Sequence, residues 1–526
     1  MRGSSRNVAR ARHATAPLRG HPVRVPVERA PTANGNLADV TRTTPRIRTA
    51  LAALVMTLGL AACTDTLSGL DAGGGEGLAS PIPPLQPADE PITVDNRRFQ
   101  TAETRLGASQ HPQILATYGG LYADPKVERT VAGIVGRLTE ASPRSTETYR
   151  VFLLDSGSVN AFALPGGYLY VTRGLLALAD DSAELAAVLA HEMAHVIADH
   201  GIERQRRVER TELAQRVAGQ VMGERAAKRA VARDEIDAAR FSREQELEAD
   251  KIGIRMMADA GFDPRAAVDF LRSMERYTAY RTAGRGEAGL DFLATHPAAP
   301  QRLKALGTLA NALAAKGGDR ERARYLKGID GLVYGDASDQ GFVRGRSFAH
   351  PKLGIGFEVP EGYTLENGPD SVVATGPGDI AVRFDMVNAE GAEPEDYLRS
   401  GWVAGLSEPT VERTEVAGFP AARGRAFAGG YAFDVTVLRV DNRFYRFLTA
   451  APPTLGNLRE QAAAVAGSFR RLPDTERSGL KPLRVVIRDR AGPEAMRGVE
   501  RPAALYKVLN SGGAANRSKV KIVTDG

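Results

Sequence analysis

Between Arg97 and Asp330 apolar positions recur mostly at helical spacing, which predicts a mainly helical region. One run breaks the pattern. Tyr149 to Leu154, a turn at Asp155-Ser156-Gly157, and Ala161 to Val171 read as strand. Residues 330–345 hold Gly and Asp and read as a linker. From Phe348 to Leu472 the period changes to two, as in Ile355-Gly356-Phe357-Glu358-Val359 and Phe433-Asp434-Val435-Thr436-Val437. One helix, Asn457 to Phe469, closes this part, and the pattern predicts a separate α+β domain over 346–473. Trp402 and Tyr397 within it read as core. The last stretch, 480–526, has strand-like ends at Leu483 and Val523 around a short helical middle. Ahead of the helical region, residues 63–95 are rich in Gly, Pro and Ala and read as a flexible tether.

Ala50 to Ala62 reads ALAALVMTLGLAA behind Arg42, Arg46 and Arg48. A membrane-spanning helix needs about 20 apolar residues, so this run is too short. Basic, apolar and small residues in that order have the layout of a secretory signal. Leu60-Ala61-Ala62-Cys63 resembles the lipobox of bacterial lipoproteins. That resemblance implies lipidation of Cys63 and removal of residues 1–62. Residues 1–40 then read either as lying upstream of a true start near Val40 or as a disordered leader. Thr64, rather than Asp, implies sorting to the outer membrane. Cys63 is the only cysteine, so the mature chain has no disulfide and is held by packing alone.

The 526 residues are 43% apolar and 25% charged, which excludes a wholly disordered or polytopic membrane protein. The net charge of +6 invites a nucleic-acid partner. Residues 1–62 hold ten Arg and no Lys against Glu28 and Asp39, so the rest of the chain is nearly neutral and no nucleic acid is expected.

Ala183 to His200 reads AELAAVLAHEMAHVIADH, with Asp181 placed to cap the helix and Glu184 as its box partner. Two His at i and i+4 share a helix face, so His191 and His195 can reach one zinc ion. Glu192 is offset by about 100°, which suits a general base rather than a ligand. His200 would lie about 140° round from His195, and it reads as the helix end with Gly201 as left-handed cap. A third ligand is expected from a second helix, Phe241 to Ala260. Glu246 shares its face with Ala249, Asp250 and Gly253, and the first helix offers Ala187, Ala194 and Ala198 opposite. Small facing residues let two helices approach. Glu246 is therefore the expected ligand, and Asp250 the group that fixes a ligand imidazole. Glu244 and Glu248 read as a solvated face.

Four motifs then occur in order: Asn160 to Tyr168, His191 to His195, Ser242-Arg243 with Glu246, Ala249 and Asp250, and Thr295-His296-Pro297 with Arg302. Together they resemble peptidase family M48, the HtpX/BepA-like zinc metallopeptidases, in its bacterial lipoprotein branch. The resemblance implies a mainly helical gluzincin-like domain over 96–330 with a small active-site sheet. It implies one Zn2+ per chain on His191, His195 and Glu246, with Glu192 as base. It implies an edge strand, carrying Asn160, Ala161, Phe162 and Ala163, to which an extended substrate adds. A catalytic role for His296 beside the metal follows too, either stabilising the transition state or plugging the open position. Arg302 pairs with acids near the site or is a plain surface residue. Where relatives carry helical repeats, this chain has the α+β domain, and residues 480–526 faintly resemble a LysM-type glycan-binding module. The usual Gly-Asp-Thr of that module is missing, since Pro493-Glu494 follows Gly492.

The expected protein is thus an exported, periplasmic, lipid-anchored zinc endopeptidase acting on misfolded or stalled envelope proteins by water activated on zinc. Its partners are polypeptides, the membrane through its lipid and, through the last segment, peptidoglycan. Two rivals stand beside this reading: an outer-membrane assembly factor or chaperone with a latent site, and a peptidoglycan-associated scaffold. A complete ligand set with Glu192 favours the enzyme.

Overall fold

Gly166 and Gly167 both take positive φ, 83° and 80°. A Cβ on Gly167 would lie 2.1 Å from the Thr148 carbonyl oxygen. The run expected as one strand over Ala161 to Val171 is therefore a hairpin, β2 (Ala161–Leu164) and β3 (Tyr168–Thr172). β1 (Arg150–Leu154) pairs parallel to β3, which gives the order β1-β3-β2 and leaves β2 at an edge.

These strands belong to a computed structural model that describes residues 102–144, 148–207, 224–283, 292–296, 300–510 and 518–525, with backbone alone over 224–241. The leader 1–62, the tether 63–95 and Cys63 lie outside the described residues. Among the described residues no helix is long and apolar enough to cross a membrane.

Helices surround the small sheet. α1 spans Ala102–Thr117. α2 (Pro125–Glu140) is started by Asp124, whose side chain accepts from the Lys126 and Val127 amides, and it buries Val127, Val131, Ile134, Val135 and Leu138. The spacing of those five is that of one helix face. α3 (Arg173–Leu178) follows β3 directly, with Thr172 as its cap. In α4 (Ser182–Ile197) every residue except Ala187 and Val196 is buried, so it is the central helix of the region. α5 (Glu224–Asp259), α6 (Ala266–Thr282), α7 (Pro300–Leu313) and α8 (Arg322–Ile329) complete the layer. α4 and α5 touch backbone to backbone: a Cβ on Gly253 would meet Ala190 and His191 backbone atoms at 3.0 Å.

Beyond α8 comes β4 (Val333–Tyr334), then a mostly antiparallel part. β5 (Phe342–Arg344), β6 (Ser347–His350), β7 (Ile355–Glu358) and the late β15 (Arg470–Arg471) form one sheet in the order β15-β7-β6-β5. A second sheet holds β8 (Thr364–Asn367), β9 (Val372–Gly376), β10 (Ile380–Asn388), β11 (Glu412–Val416), β12 (Phe419–Ala428), β13 (Tyr431–Val440) and β14 (Arg443–Ala451). Its order is β11-β12-β13-β14-β10-β9-β8. One of its faces buries Phe384, Tyr445 and Phe447 against Phe348 and Phe357 of the first sheet and Val465 of a helix over Leu458–Gly467. The other buries Phe433, Val435, Val437 and Phe444 under the turn that carries Tyr397 and Trp402. Both rings lie on the core, 5.6 Å apart, with the Arg446 guanidinium 4.4 Å from the Trp402 ring. Because both faces are covered, alternate polar residues such as Asp434 and Thr436 are buried as well.

The final segment runs β16 (Leu483–Asp489), a helix over Pro502–Asn510 and β17 (Lys519–Thr524). β16 pairs antiparallel with both β17 and β4. Val485 and Val508 join the core of the helical region. Lys521 is fully buried and its Nζ donates to the carbonyls of Ala177, Leu178 and Ala179 at 2.9–3.0 Å. A cation there suits the negative end of α3, and it ties the last strand to the segment that leads into α4.

Candidate metal centre

α4 begins as its sequence suggests, with one shift. The Asp181 carboxylate accepts from the Glu184 amide at 2.8 Å, but Glu184 accepts from the Asp180 amide, one residue further out than the box pattern. Glu184 is fully buried, and burial, then Asp181 and Asp180, push its carboxyl up to about 8. It therefore keeps its proton longer folded than unfolded, where the ordinary value is 4.5. Its contribution to stability is full below about pH 4.5 and is lost as the pH rises towards 8. Glu184→Gln should flatten that fall in urea midpoints measured between those limits, and an unchanged slope would count against it.

Three turns along, His191 and His195 present their Nε2 atoms 3.1 Å apart. α5 brings the Glu246 carboxylate to 3.2 Å from His191 Nε2 and 3.4 Å from His195 Nε2. His296 follows a single turn over Phe292–Thr295, and its Nδ1 lies 3.0 and 3.1 Å from the two Glu246 oxygens and 3.3 Å from His191 Nε2. The four residues are at most 8% exposed, and one ligand atom from each lies within 4.8 Å of all the others. Bonds of about 2.0–2.1 Å to a tetrahedral zinc make donor–donor edges of about 3.3 Å. Three imidazole nitrogens and a carboxylate at this spacing fit zinc in both donor type and size.

Glu192 stands just outside this set, as its offset on the helix requires. It is buried, one of its oxygens (Oε1) has no hydrogen-bond partner among the described residues, and that oxygen lies 3.5 Å from His296 Nε2. Burial raises its pKa.

Asp250 meets His191 Nδ1 at 3.0 Å. Arg302 holds Asp250 with two hydrogen bonds of 2.6 and 2.8 Å and reaches Glu246 at 3.0 Å. It is 4% exposed, so the reading of Arg302 as a surface residue is replaced by that of a buried clamp. Against the push of burial, Arg302 and His191 hold Asp250 down at about 2. Against the same push, hydrogen bonds from His191, His195 and His296 hold Glu246 well below the usual carboxylate range. His195, whose burial dominates, is pushed down to about 3, whereas Asp250 and Glu246 overcome burial at His191 and raise it to about 9. His296 is held on two sides. Phe292 stacks on its ring at 4.6 Å, and the Arg302 Nη1 donates to its carbonyl at 3.3 Å.

Two expectations change. α4 ends at Ile197, and the left-handed residue is Asp199 at φ 57°, not Gly201. A helix restarts over 200–207. His200 is thus no helix end: it is buried, with Nδ1 2.8 Å from His195 Nδ1 and Nε2 3.4 Å from Glu248. Glu248 remains mostly exposed but is not a purely solvated bystander. Asn160 precedes β2 rather than lying in it. Its amide donates to Thr172 Oγ1, its carbonyl accepts from the Thr172 amide, and its side chain donates to Tyr118 Oη. Ala161, Phe162 and Ala163 do lie on the edge strand, which packs against α4. Sequence reasoning also missed Arg204, whose Nε donates to Gln245 and whose Nη2 approaches Glu246 at 3.5 Å.

Residues 125–310 match the family model described as Peptidase family M48. Mitochondrial metalloendopeptidase OMA1 of Schizosaccharomyces pombe is 29% identical over 224 residues, 41% of this chain and 64% of that protein. The OMA1 of Arabidopsis thaliana is 35% identical over 168 residues, 30% of this chain and 31% of that one. The beta-barrel assembly-enhancing protease of Yersinia pestis is 28% identical over 202 residues, 36% of this chain and 40% of that one. The chain spans less than two thirds of the length of these relatives. Every residue of the centre, from His191 to Arg302, falls inside the matched span, so the part of the chain that carries the centre is the part similar to peptidase family M48.

Proposed function

We propose that this protein is a zinc-dependent endopeptidase, with His191, His195 and Glu246 as ligands, Glu192 as general base and His296 as a cap on the fourth position at rest. The convergence of four buried donor atoms at 3.0–3.4 Å beside a Glu192 oxygen with no hydrogen-bond partner among the described residues carries the reading. Bound zinc would polarise the scissile carbonyl and lower the pKa of a water molecule. Glu192, made more basic by burial, takes the proton of the attacking water and passes it to the leaving amine. Asp250 orients His191, and Arg302 offsets the charge of Asp250 and Glu246. An extended polypeptide can add to β2 at Ala161, Phe162 and Ala163 and be held largely by its backbone.

His296 approaches the cluster through Nδ1 while its Nε2 faces Glu192, so in this position it occupies the ground of both substrate and base. That favours the plug over transition-state support. A lipid at Cys63 would hold the enzyme at the periplasmic face of the outer membrane. The relatives named as beta-barrel assembly-enhancing proteases support envelope proteins as substrates. The capped site also suits an assembly factor whose peptidase activity is latent.

His296→Ala tests the cap. With the open form roughly a tenth populated, its removal should raise basal cleavage of an unfolded polypeptide about tenfold. Zinc content should stay near wild type, and a chelator should abolish both activities. A fall in kcat would assign His296 to transition-state support instead, and an unchanged rate would end both roles.

A further inference from the structure

We infer that His200 is a positioning residue of the metal centre, accepting at Nδ1 a hydrogen bond from His195 Nδ1–H and so fixing the tautomer that turns His195 Nε2 to the ion. The inference rests on the zinc reading above. A ligating imidazole normally donates its other N–H to a group behind it, and that group sets both tautomer and ring plane. Behind His191 stands Asp250, 3.0 Å from Nδ1. Behind His195 no carboxylate approaches Nδ1 among the described residues; His200 Nδ1 does, at 2.8 Å.

Two ring nitrogens at that distance need one proton between them. His195 Nε2 faces His191 Nε2 and Glu246, so the His195 proton belongs on Nδ1. His200 must then present a lone pair at Nδ1 and carry its own proton on Nε2. That nitrogen faces the Glu248 carboxylate at 3.4 Å, which suits a donor. The chain of contacts therefore has one consistent assignment, from Glu248 through His200 to His195.

The backbone makes this contact. An uninterrupted α4 would carry His200 about 140° away from His195. Asp199 at φ 57° breaks the helix and swings His200 back beneath the imidazole. The left-handed region carries a steric cost for a non-glycine residue, smaller for Asp than for most. Arg144, which pairs with the Asp199 carboxylate at 3.1 Å, stands ready to offset it. The strained residue thus lies one position before the histidine it redirects.

The test uses the full chain, zinc-free and zinc-loaded. His200→Leu removes the acceptor, whereas His200→Asn keeps an oxygen close to the Nδ1 position. Chelator competition should show zinc affinity falling roughly 10–100-fold in the leucine variant. The asparagine variant should keep most of the affinity, with the thermal midpoints of the two metal-free variants alike. Equal losses in both variants, or no loss in either, would overturn the inference. 15N NMR of the wild-type imidazoles gives a second reading independent of any variant's folding. His200 should be the Nε2–H tautomer, and an Nδ1–H on His200 overturns the assignment. A wild-type chain that takes up no zinc would refute the zinc reading, while the His200 tautomer in that metal-free chain still decides this one.

Discussion

Glu192→Gln is expected to lower cleavage of an unfolded polypeptide by about 10²–10⁴-fold, the usual worth of a positioned general base. Zinc content should match wild type, because Glu192 is not among the four converging donors. Glutamine keeps the shape and an oxygen but cannot accept a proton at neutral pH. The existing contacts give it little to disturb, since Glu192 Oε1 makes no hydrogen bond among the described residues and lies 3.5 Å from His296. Metal analysis beside single-turnover kinetics separates the outcomes. Lost zinc would make Glu192 a ligand or a structural prop, and retained cleavage would remove it from the mechanism. Full rescue of a deletion strain by an inactive, zinc-loaded Glu192→Gln would place the physiological role in assembly rather than cleavage.

Arg302→Leu should have the larger effect on the fold. Arg302 is 4% exposed, and its guanidinium is shared by Asp250 and Glu246. Removing one side of a buried ion pair leaves charge without a partner, at a cost of about 3–5 kcal/mol. Metal-free Arg302→Leu should therefore unfold at clearly lower urea than metal-free wild type. Zinc should recover part of the difference by taking up the charge of Glu246. The pH response should weaken. In the wild type Asp250, held at about 2 against an ordinary 3.8, contributes stability above about pH 3.8 that is lost as the pH falls through 2. Without Arg302 only His191 opposes burial, the Asp250 pKa rises from about 2, and the loss of stability on the acid side shrinks. A variant as stable as wild type at neutral pH would show that Arg302 is a bystander.

Much of this centre is legible in one dimension because its parts are local. His191 and His195 need only one helical turn between them. The offset of Glu192 follows from the same geometry, and the Asp181 cap needs three residues. Glu246 could be picked from four acids because Ala249, Asp250 and Gly253 share its face, and Gly253 does lie against the α4 backbone. The period-two pattern beyond Phe348 likewise reports its strands directly.

The rest was decided by contacts between residues far apart in the chain. Composition gives Arg302 no reason to be buried; two carboxylates on another helix do. Glu184 looks like a capping partner in the sequence, and only the surrounding core turns it into a carboxyl that resists ionisation. The pattern of the last segment shows strand-like ends and a helical middle but not that its Lys521 ends on three carbonyls more than 340 residues earlier. His200 shows the limit most clearly. Helical spacing alone turns it away from His195, and one left-handed residue, Asp199, turns it back. Periodicity and spacing describe a chain that continues its local geometry. They determined the helices, the strands and the metal motif here, whereas the breaks and the buried charges depended on partners that only the folded chain brings near.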